Sequence, residues 1–336
     1  MIINIFTDSL SGHREAYLNF FLNTFSSKKI SKKDLLLSKS TVLFLMIEDS
    51  FLLYFFICLY RAILGKTTAG FLFRPKPVVD DPSLKLKIKR TALYILKKIP
   101  NVKTLLIIPN SIHPKFSTIC DGWIYDFQFW DLQEKDYETF IALKEKKQVS
   151  SLFTSINNMH NGRKVLCALG GQDRIKGFDI FSTTYINNKN IQKKFLFAYG
   201  GKVKGYDKLA INFDKNGGYS KNEFISNDEF ISLYASSDLV WALYAEDYDQ
   251  ASGIFGRAVQ FGIPVLVRKD SLIHKICILE EIPHIAMIKE EMHKLISIPI
   301  PSHNLKQGKV FRNLFKEKSI FQLNETLGIE LHKDKK

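Results

Sequence analysis

Cysteine, tryptophan and methionine are scarce in this 336-residue chain, at 4, 3 and 5 residues. The cysteines, Cys58, Cys120, Cys167 and Cys277, stand singly in or beside apolar runs, with no Cys-x-x-Cys pair and no Cys/His ligand spacing. That argues against a disulfide framework and a structural zinc site, and predicts buried free thiols in a reducing compartment. Long apolar runs are also missing. The most hydrophobic stretch, Phe51–Leu64, is about fourteen residues long with Arg61 inside it, against the roughly twenty a membrane span requires. A buried or interface-lying helix is expected there. Tandem repeats and low-complexity segments are absent. The opening Met1–Phe6 has neither a basic n-region nor a cleavage site, and reads as a first strand, not a signal peptide.

Negative charge is the other shortage: 48 Lys plus Arg face 34 Asp plus Glu, a formal charge of +14. Such a surplus suits nucleic acid, an anionic membrane or phosphorylated substrates. The basic residues are dispersed and no nucleic-acid motif accompanies them, so nucleic acid is not an expected partner. A solvated basic surface and attraction to a membrane both remain open. With 46% hydrophobic and 24% charged residues the chain is globular, and its length permits two domains, each with its own core.

What is present is an alternation of strand and helix signals. Ile2–Phe6 reads as a strand, followed by a polar loop containing Gly12 and His13 and a helix over Arg14–Phe25, a Rossmann-like opening. Thr41–Ile47 and Val102–Ile108 are further buried strands. Leu84–Ile99 is a basic amphipathic helix, a pattern that suits either solvent or an anionic bilayer. His113 falls just beyond a strand's carboxyl end, where catalytic groups gather in α/β folds. After a charged helix at Gln133–Gln148, the Ser/Asn-rich Ser150–Asn161 is the expected domain boundary.

A second series begins with the strand Val165–Leu169. Its exit carries Gly170-Gly171, then Arg174 and Lys176-Gly177, before a helix with Phe178, Phe181 and Tyr185. Two glycines and two cations at a strand-to-helix turn make a diphosphate cradle: backbone N–H groups for the oxygens, side chains for the charge. The strand Lys194–Tyr199 ends in Gly200-Gly201. Ala210–Phe213 and Phe224–Ser226 are expected as short strands, and Ser226–Glu229 is a capping box. Asp238–Tyr244 is a buried strand leading through the loop Ala245–Gln250 and the turn Ser252-Gly253 into a helix over Ile254–Phe261. Gly262 sits at a helix C-cap, Pro264 bars continuation, and Pro264–Val267 is the next strand. Val310–Leu323 is a terminal helix.

The segment from about Lys164 to Val267 resembles the donor domain of GT-B glycosyltransferases of family 4. Lys176-Gly177 matches that family's Arg…Lys-Gly motif, with Gly171 at the Arg position. Asp249 falls at the first position of its acidic pair, and Gly262-Ile263-Pro264-Val265 matches the Gly-x-Pro-Val that follows. The second acidic position holds Arg257. Gly12-His13-Arg14 with Tyr17 is similar to the opening of some bacterial members.

The resemblance implies an α/β, GT-B architecture of two Rossmann-like domains facing an interdomain cleft. Residues 1–155 would bind acceptor, 156–309 would bind nucleotide sugar, and 310–336 would form a helix crossing back to the first domain plus a basic tail. It implies a retaining transfer to a saccharide acceptor, with no cofactor or metal beyond the nucleotide-diphosphate-sugar donor. By resemblance Gly170, Gly171, Lys176, Gly200, Ser252 and Gly253 would hold the donor, Asp249 would be catalytic, and Gly12 and His13 would face the acceptor; by their position in the chain, not by the family pattern, Arg174 and Arg257 would add charge for the donor and His113 would be catalytic. The basic N-terminal half and the hydrophobic helix add the expectation of a lipid-linked acceptor in bacterial surface-polysaccharide assembly, on the cytoplasmic face of the membrane. Two rival readings stand: another α/β enzyme of envelope polysaccharide synthesis, such as a pyruvyl or phosphosugar transferase, and a catalytically silent scaffold of the same fold, which Arg257 favours.

Overall fold

A computed structural model describes residues 2–9 and 13–328. The chain divides into two compact units, Met1–Phe127 with Phe315–Lys336, and Gln128–Leu314.

In the first unit the order is β1 (Ile3–Phe6), α1 (His13–Thr24), β2 (Ser27–Lys29), α2 (Asp34–Leu37), β3 (Thr41–Phe44), α3 (Phe51–Ile63), β4 (Thr68–Leu72), α4 (Pro75–Asp80), α5 (Leu84–Lys97), β5 (Val102–Leu106) and β6 (Gly122–Trp123). The strands form one parallel six-stranded sheet, β2-β1-β3-β4-β5-β6. β1, β3 and β4 are buried along their whole length, as strands covered on both faces must be. The unit closes with the far end of the chain: the Tyr125 N–H donates to Ser319 Oγ at 3.0 Å, and its ring lies 4.4 Å from that of Phe315.

α3 is the apolar run of the sequence. It turns Tyr54, Ile57, Cys58 and Arg61 inward. Arg61 is fully buried, and a guanidinium has five N–H donors to satisfy. Nε reaches Thr68 Oγ1 at 2.9 Å. Nη1 donates to the carbonyls of Leu35 and Ser38, and Nη2 to those of Ser40 and Thr67, at 2.7–3.1 Å. One side chain thus ties the end of α2, the approach to β3 and the start of β4 to α3. Among the described residues no helix is long and apolar enough to cross a membrane.

The second unit runs α6 (Glu134–Lys144), α7 (Ser151–His160), β7 (Lys164–Leu169), α8 (Phe178–Asn187), α9 (Lys189–Lys194), β8 (Phe195–Gly200), α10 (Asp207–Lys215), β9 (Tyr219–Lys221), α11 (Asn227–Ser236), β10 (Leu239–Ala242), α12 (Gly253–Gln260), β11 (Val265–Arg268), α13 (Leu272–Leu279), β12 (His284–Met287) and α14 (Leu305–Leu327). α14 belongs to this unit as far as Leu314 and to the first from Phe315 onward. The sheet is again parallel and six-stranded, β12-β11-β10-β7-β8-β9. Its core is aromatic, with Phe178, Phe181 and Tyr185 of α8 packed among Phe197, Phe213 and Trp241. All four cysteines are buried free thiols, and burial pushes Cys58, Cys120 and Cys167 up to about 12.

Three expectations change. Ala210–Phe213 lies within helix α10, because Ala210 and Phe213 share one buried helical face; the strand is Tyr219–Lys221, and Phe224 is an exposed loop residue. Ser150–Asn161 is helix α7, capped by Ser150, whose Oγ accepts from Phe153 N–H at 3.4 Å. The two compact units divide at Phe127/Gln128. α6 and α7 join the second unit because their faces are covered there. Phe140 stacks on Phe261 at 4.4 Å, Tyr137 OH donates to Gln260 O at 3.1 Å, and Ser232 Oγ donates to Ser150 Oγ at 2.8 Å.

Replacing Arg61 by Met takes donors from four carbonyls, leaving Thr67 O with Val42 N–H and Ser40 O with Ser38 Oγ but those of Leu35 and Ser38 without the guanidinium. The expected loss is about 3 kcal/mol or more, since each unsatisfied buried group costs about 1–3 kcal/mol. It is read as a fall in the urea midpoint followed by circular dichroism; an unchanged midpoint would show that the guanidinium is dispensable.

Candidate functional site

A parallel sheet whose strand order reverses leaves a crevice beyond the carboxyl ends of the two strands at the reversal. In the second unit those strands are β7 and β10: the chain leaves β7 toward β8 and β9, and leaves β10 toward β11 and β12.

The exit of β7 is held from both sides. Gly170 adopts φ +83°, and its N–H donates to Gly200 O at 2.9 Å. Gly201, at φ +132°, lies so close that a Cβ there would fall 1.9 Å from Gly170 O. Gln172 N–H then donates to Lys202 O, and Lys204 N–H to Gln172 O, at 2.9 and 2.8 Å, extending the pairing into the turn. The Asp173 carboxylate accepts from Lys176 N–H at 3.0 Å. Gly177 caps α8 at φ +72°, and a Cβ there would meet Leu243 O at 2.4 Å. Two bonds fasten the loop to the end of β10: Trp241 Nε1 donates to Lys176 O at 2.9 Å, and Ala245 N–H donates to Ile175 O at 3.0 Å.

This fastening sets the Lys176 ammonium over the ring of Tyr244 at 4.2 Å and near that of Tyr248 at 5.0 Å. Burial pushes its pKa down to about 8, with Asp173 working in the opposite direction. Tyr244 also shares a 2.8 Å hydrogen bond with Ser252 Oγ, the N-cap residue of α12. Gly170 stands beside the first turn of that helix, where a Cβ would lie 3.7 Å from the Ile254 side chain. The structure therefore brings together Gly170, Lys176, Ser252 and the start of α12. Gly171 is exposed beside them, with the Lys202 carbonyl 4.0 Å from where a Cβ would stand. Gly253 lies against the end of the Gln128 side chain, where a Cβ would fall 2.1 Å from Oε1 unless that amide turned away. A helix N-terminus has N–H groups without intrahelical partners and favours negative charge. A glycine turn, a desolvated cation and a helix dipole at one strand reversal can hold an anion.

Other anticipated residues are engaged elsewhere. Arg174 is exposed and pairs through both Nη atoms with Asp247, Nη1 at 3.2 Å. Arg257 points to Asp131, with Nη2 donating to Oδ2 at 2.9 Å. Burial opposes its charge, yet the Asp131 carboxylate prevails and holds its pKa above the ordinary arginine value. Asp249 is buried; Oδ1 accepts from Leu272 N–H at 2.7 Å and Oδ2 pairs with Arg268 at 3.1 Å. Gly200 is a packing glycine, since a Cβ there would fall 2.4 Å from Leu233 Cδ1. In the first unit His113 stacks on Phe116, accepts at Nδ1 from Lys115 N–H at 3.3 Å and faces Asp80 through Nε2 at 3.1 Å. His13 opens α1 in its backbone, its side chain not being described, and Gly12 lies outside the described residues. Among the described residues no group of three or more His, Cys, Asp or Glu side chains has metal-binding geometry.

Tyr244 and Tyr248 were not anticipated as site residues, although both sit at or just past a strand end. Two aromatics four residues apart beyond a buried strand were the available signal.

Two glycine substitutions separate backbone strain from crowding. Gly205 has φ +78° with nothing near its side-chain position, whereas Gly177 has φ +72° and the Leu243 carbonyl at 2.4 Å. Gly205→Ala is expected to cost about 1 kcal/mol from the left-handed backbone alone. Gly177→Ala should cost clearly more in the same thermal denaturation experiment; equal losses would show that the loop yields.

No protein-family profile matches the sequence, and no curated protein matches it. Solved structures do. HepE (Alr3699) of Anabaena, determined in complex with UDP, matches over 97% of this chain and 99% of its own, at 10% identity and a TM-score of 0.60. The α,α-trehalose 6-phosphate synthase of Burkholderia multivorans matches over 88% and 69% at 9% identity and a TM-score of 0.52. The UDP-forming α,α-trehalose-phosphate synthase of Burkholderia xenovorans, in complex with glucose-6-phosphate, matches over 86% and 73% at 10% identity and a TM-score of 0.50. At these identities the likeness establishes architecture: two parallel sheets with flanking helices, the GT-B fold of glycosyltransferases.

Proposed function

We propose that the chain is a glycosyltransferase that binds the diphosphate of a nucleotide sugar at the β7/β10 reversal and transfers the sugar to a saccharide acceptor. The observation that carries this reading is the Lys176 ammonium. It is half-buried against two tyrosine rings, and no carboxylate is hydrogen-bonded to it among the described residues. A desolvated cation that the fold itself does not neutralise is suited to an incoming anion. In transfer, negative charge develops on the departing diphosphate, and Lys176 with the α12 dipole would stabilise it as it forms. The Gly170-Gly171 turn would offer backbone N–H groups to the same oxygens.

Asp249, tied to Arg268 and the start of α13, is given a positioning role for the loop that carries Tyr248. The likeness of residues 164–267 to family 4 supports extending the proposal to retention of configuration, with departure and attack on one face of the sugar. It also supports a place in bacterial surface-polysaccharide assembly. HepE was solved with UDP, so UDP is the first nucleotide to test. Arg257 stands on α12 where the family has its second carboxylate and is paired with Asp131, and this favours the scaffold reading. The two readings part on turnover: a scaffold binds the nucleotide sugar and leaves its glycosidic bond intact with every acceptor.

Thermal shift and calorimetric titration with UDP, GDP, dTDP and CMP test the site. A bound nucleotide at one hundred times its Kd stabilises the native state by about 2.7 kcal/mol. Lys176→Met is expected to lower nucleotide affinity about tenfold or more, the scale of a lost charge-assisted bond. It should leave the unliganded Tm no lower, because it removes a desolvated charge. No shift with any of the four nucleotides would overturn the proposal.

The pH dependence has a definite sign. Lys176 is protonated below about 8 and neutral above it, and an anion favours the protonated form. Nucleotide affinity should therefore fall as pH rises through about 8, and the Lys176→Met variant should show no such fall. A wild-type affinity that stays flat through that range would remove Lys176 from the site.

A further inference from the structure

We propose that the groove between α3 and α5 docks the first unit onto an anionic bilayer, taking an acyl chain between the helices with the α5 lysines at the level of the phosphates. The inference does not depend on the donor site, which lies in the other unit.

A helix on the surface of a globular unit ordinarily presents a polar outer face. α3 does not. With its inner face filled by Tyr54, Ile57, Cys58 and Arg61, its outer stripe is Leu52, Phe56, Tyr60 and Ile63, exposed by 70, 63, 45 and 85%. Spacings of four, four and three residues place these side chains in one row. α5 lies alongside and adds Leu84 and Ile88, exposed by 74 and 59%. Between the two helices runs a groove of about 640 Å³, walled mainly by Phe51, Leu52, Leu84, Leu86 and Ile88. That is within the size of sites that take drug-sized apolar ligands.

The charge around the groove selects its occupant. Neither helix contains an acidic residue, and α5 carries Lys85, Lys87, Lys89 and Arg90 in its first half. Lys89 sits over the Phe51 ring at 4.9 Å, so a cation and an aromatic face meet at the rim. Among the described residues the one acid lining the groove is Glu48. Its Oε1 is used by the Phe73 and Arg74 N–H groups, both at 2.7 Å. Its other oxygen, Oε2, is buried with no hydrogen-bond partner among the described residues. Self-association through this face would be isologous and would bring the lysines of one copy against those of the other. An anionic lipid surface supplies both needs at once, hydrocarbon for the row of apolar side chains and phosphate for the lysines.

The experiment is flotation of the full chain with vesicles of phosphatidylcholine, with and without phosphatidylglycerol. Binding is expected on the anionic vesicles alone, weakening as salt is raised. The double variant Phe56→Ser/Ile88→Ser should reduce binding about tenfold or more. Lys85→Glu/Lys87→Glu should reduce it similarly, each lysine near an anionic surface being worth about fivefold. Lys208→Glu/Lys215→Glu on α10, equal in charge change but in the other unit, should leave binding within about twofold. All these side chains are exposed, so folding is preserved, checked by unchanged circular dichroism. Leu52→Trp reports on the acyl chain itself: lipids brominated in their tails should quench its added fluorescence. The inference is overturned if the native chain does not float with anionic vesicles at low salt. It is equally overturned if Phe56→Ser/Ile88→Ser floats like the native chain, if tail-brominated lipid fails to quench, or if Phe56→Ser converts a dimer in sedimentation to a monomer.

Discussion

Parallel strands can be joined only through crossovers, so a chain that builds such a sheet outward in both directions must reverse its order once. At that reversal the two outgoing connections diverge, and strand ends and a helix N-terminus are left facing solvent. The second unit has its reversal between β7 and β10, and nearly everything distinctive about its sequence serves that corner. Gly201 lies against the Gly170 carbonyl, and Gly177 against the Leu243 carbonyl. Trp241 reaches out of β10 to hold the Lys176 carbonyl at 2.9 Å. Closeness of backbone to backbone requires the glycines, and the glycines in turn let the two strand exits be bonded into one rigid platform. The first unit reverses between β1 and β3, and there Arg14 and Asp49 close the gap with a two-point ion pair at 2.6 and 2.7 Å.

A fully buried arginine and a half-buried lysine illustrate how the cost of desolvating a cation is met for different ends. Arg61 satisfies all five of its donors, four of them on main-chain carbonyls, so nothing remains with which to bind a ligand. Its charge is structural. Lys176 has two aromatic faces and, among the described residues, no hydrogen-bonded carboxylate. Ring quadrupoles attract a cation weakly compared with a carboxylate, which is why burial is able to push its pKa down to about 8. A fold that wanted Lys176 only for stability would have provided it with an acid. The Asp173 carboxylate is near enough to oppose the shift, yet its oxygen is bonded to the Lys176 backbone N–H. It shapes the turn in which the lysine sits.

Local signals carried most of the architecture. Gly262 was legible as a helix stop, and it takes φ +70°. The Ser226–Glu229 capping box forms with both reciprocal bonds. The buried strands were legible as apolar runs, and the glycine turn after β7 as a phosphate-sized opening. What sequence could not supply were partners far apart in the chain. Arg257 finds Asp131 across 126 positions and Asp249 finds Leu272 across 23. Position in a motif says nothing of where the charges of these two residues are spent. Ala210–Phe213 failed for a different reason: four apolar-rich residues fit a strand and one face of a helix equally well, and only packing of Ala210 and Phe213 into the aromatic core decides.

The positive surplus divides by residue type. The arginines are largely consumed inside each unit: Arg61 on carbonyls, Arg163 on the carbonyls of Met159, His160 and Gln192, Arg257 on Asp131 and Arg268 on Asp249. A planar fork with fixed donors is suited to such struts. The net charge that reaches solvent is therefore carried mainly by lysines. In physiological salt a surface charge acts only over about 8 Å, so an overall charge of +14 matters less than where cations and apolar side chains coincide. They coincide on α5, whose sequence alternates leucine or isoleucine with lysine over Leu84–Lys89 and contains no acid. In an α-helix such alternation places apolar and basic side chains around the same few turns instead of on opposite faces. Solvent alone would favour the opposite arrangement, because it leaves Leu84 and Ile88 in water beside the lysines. α3 repeats the pattern with its outer row of apolar side chains, and Arg61 pins that helix in place from its inner face. The strut that holds α3 to its sheet thus also fixes which of its apolar residues must face outward.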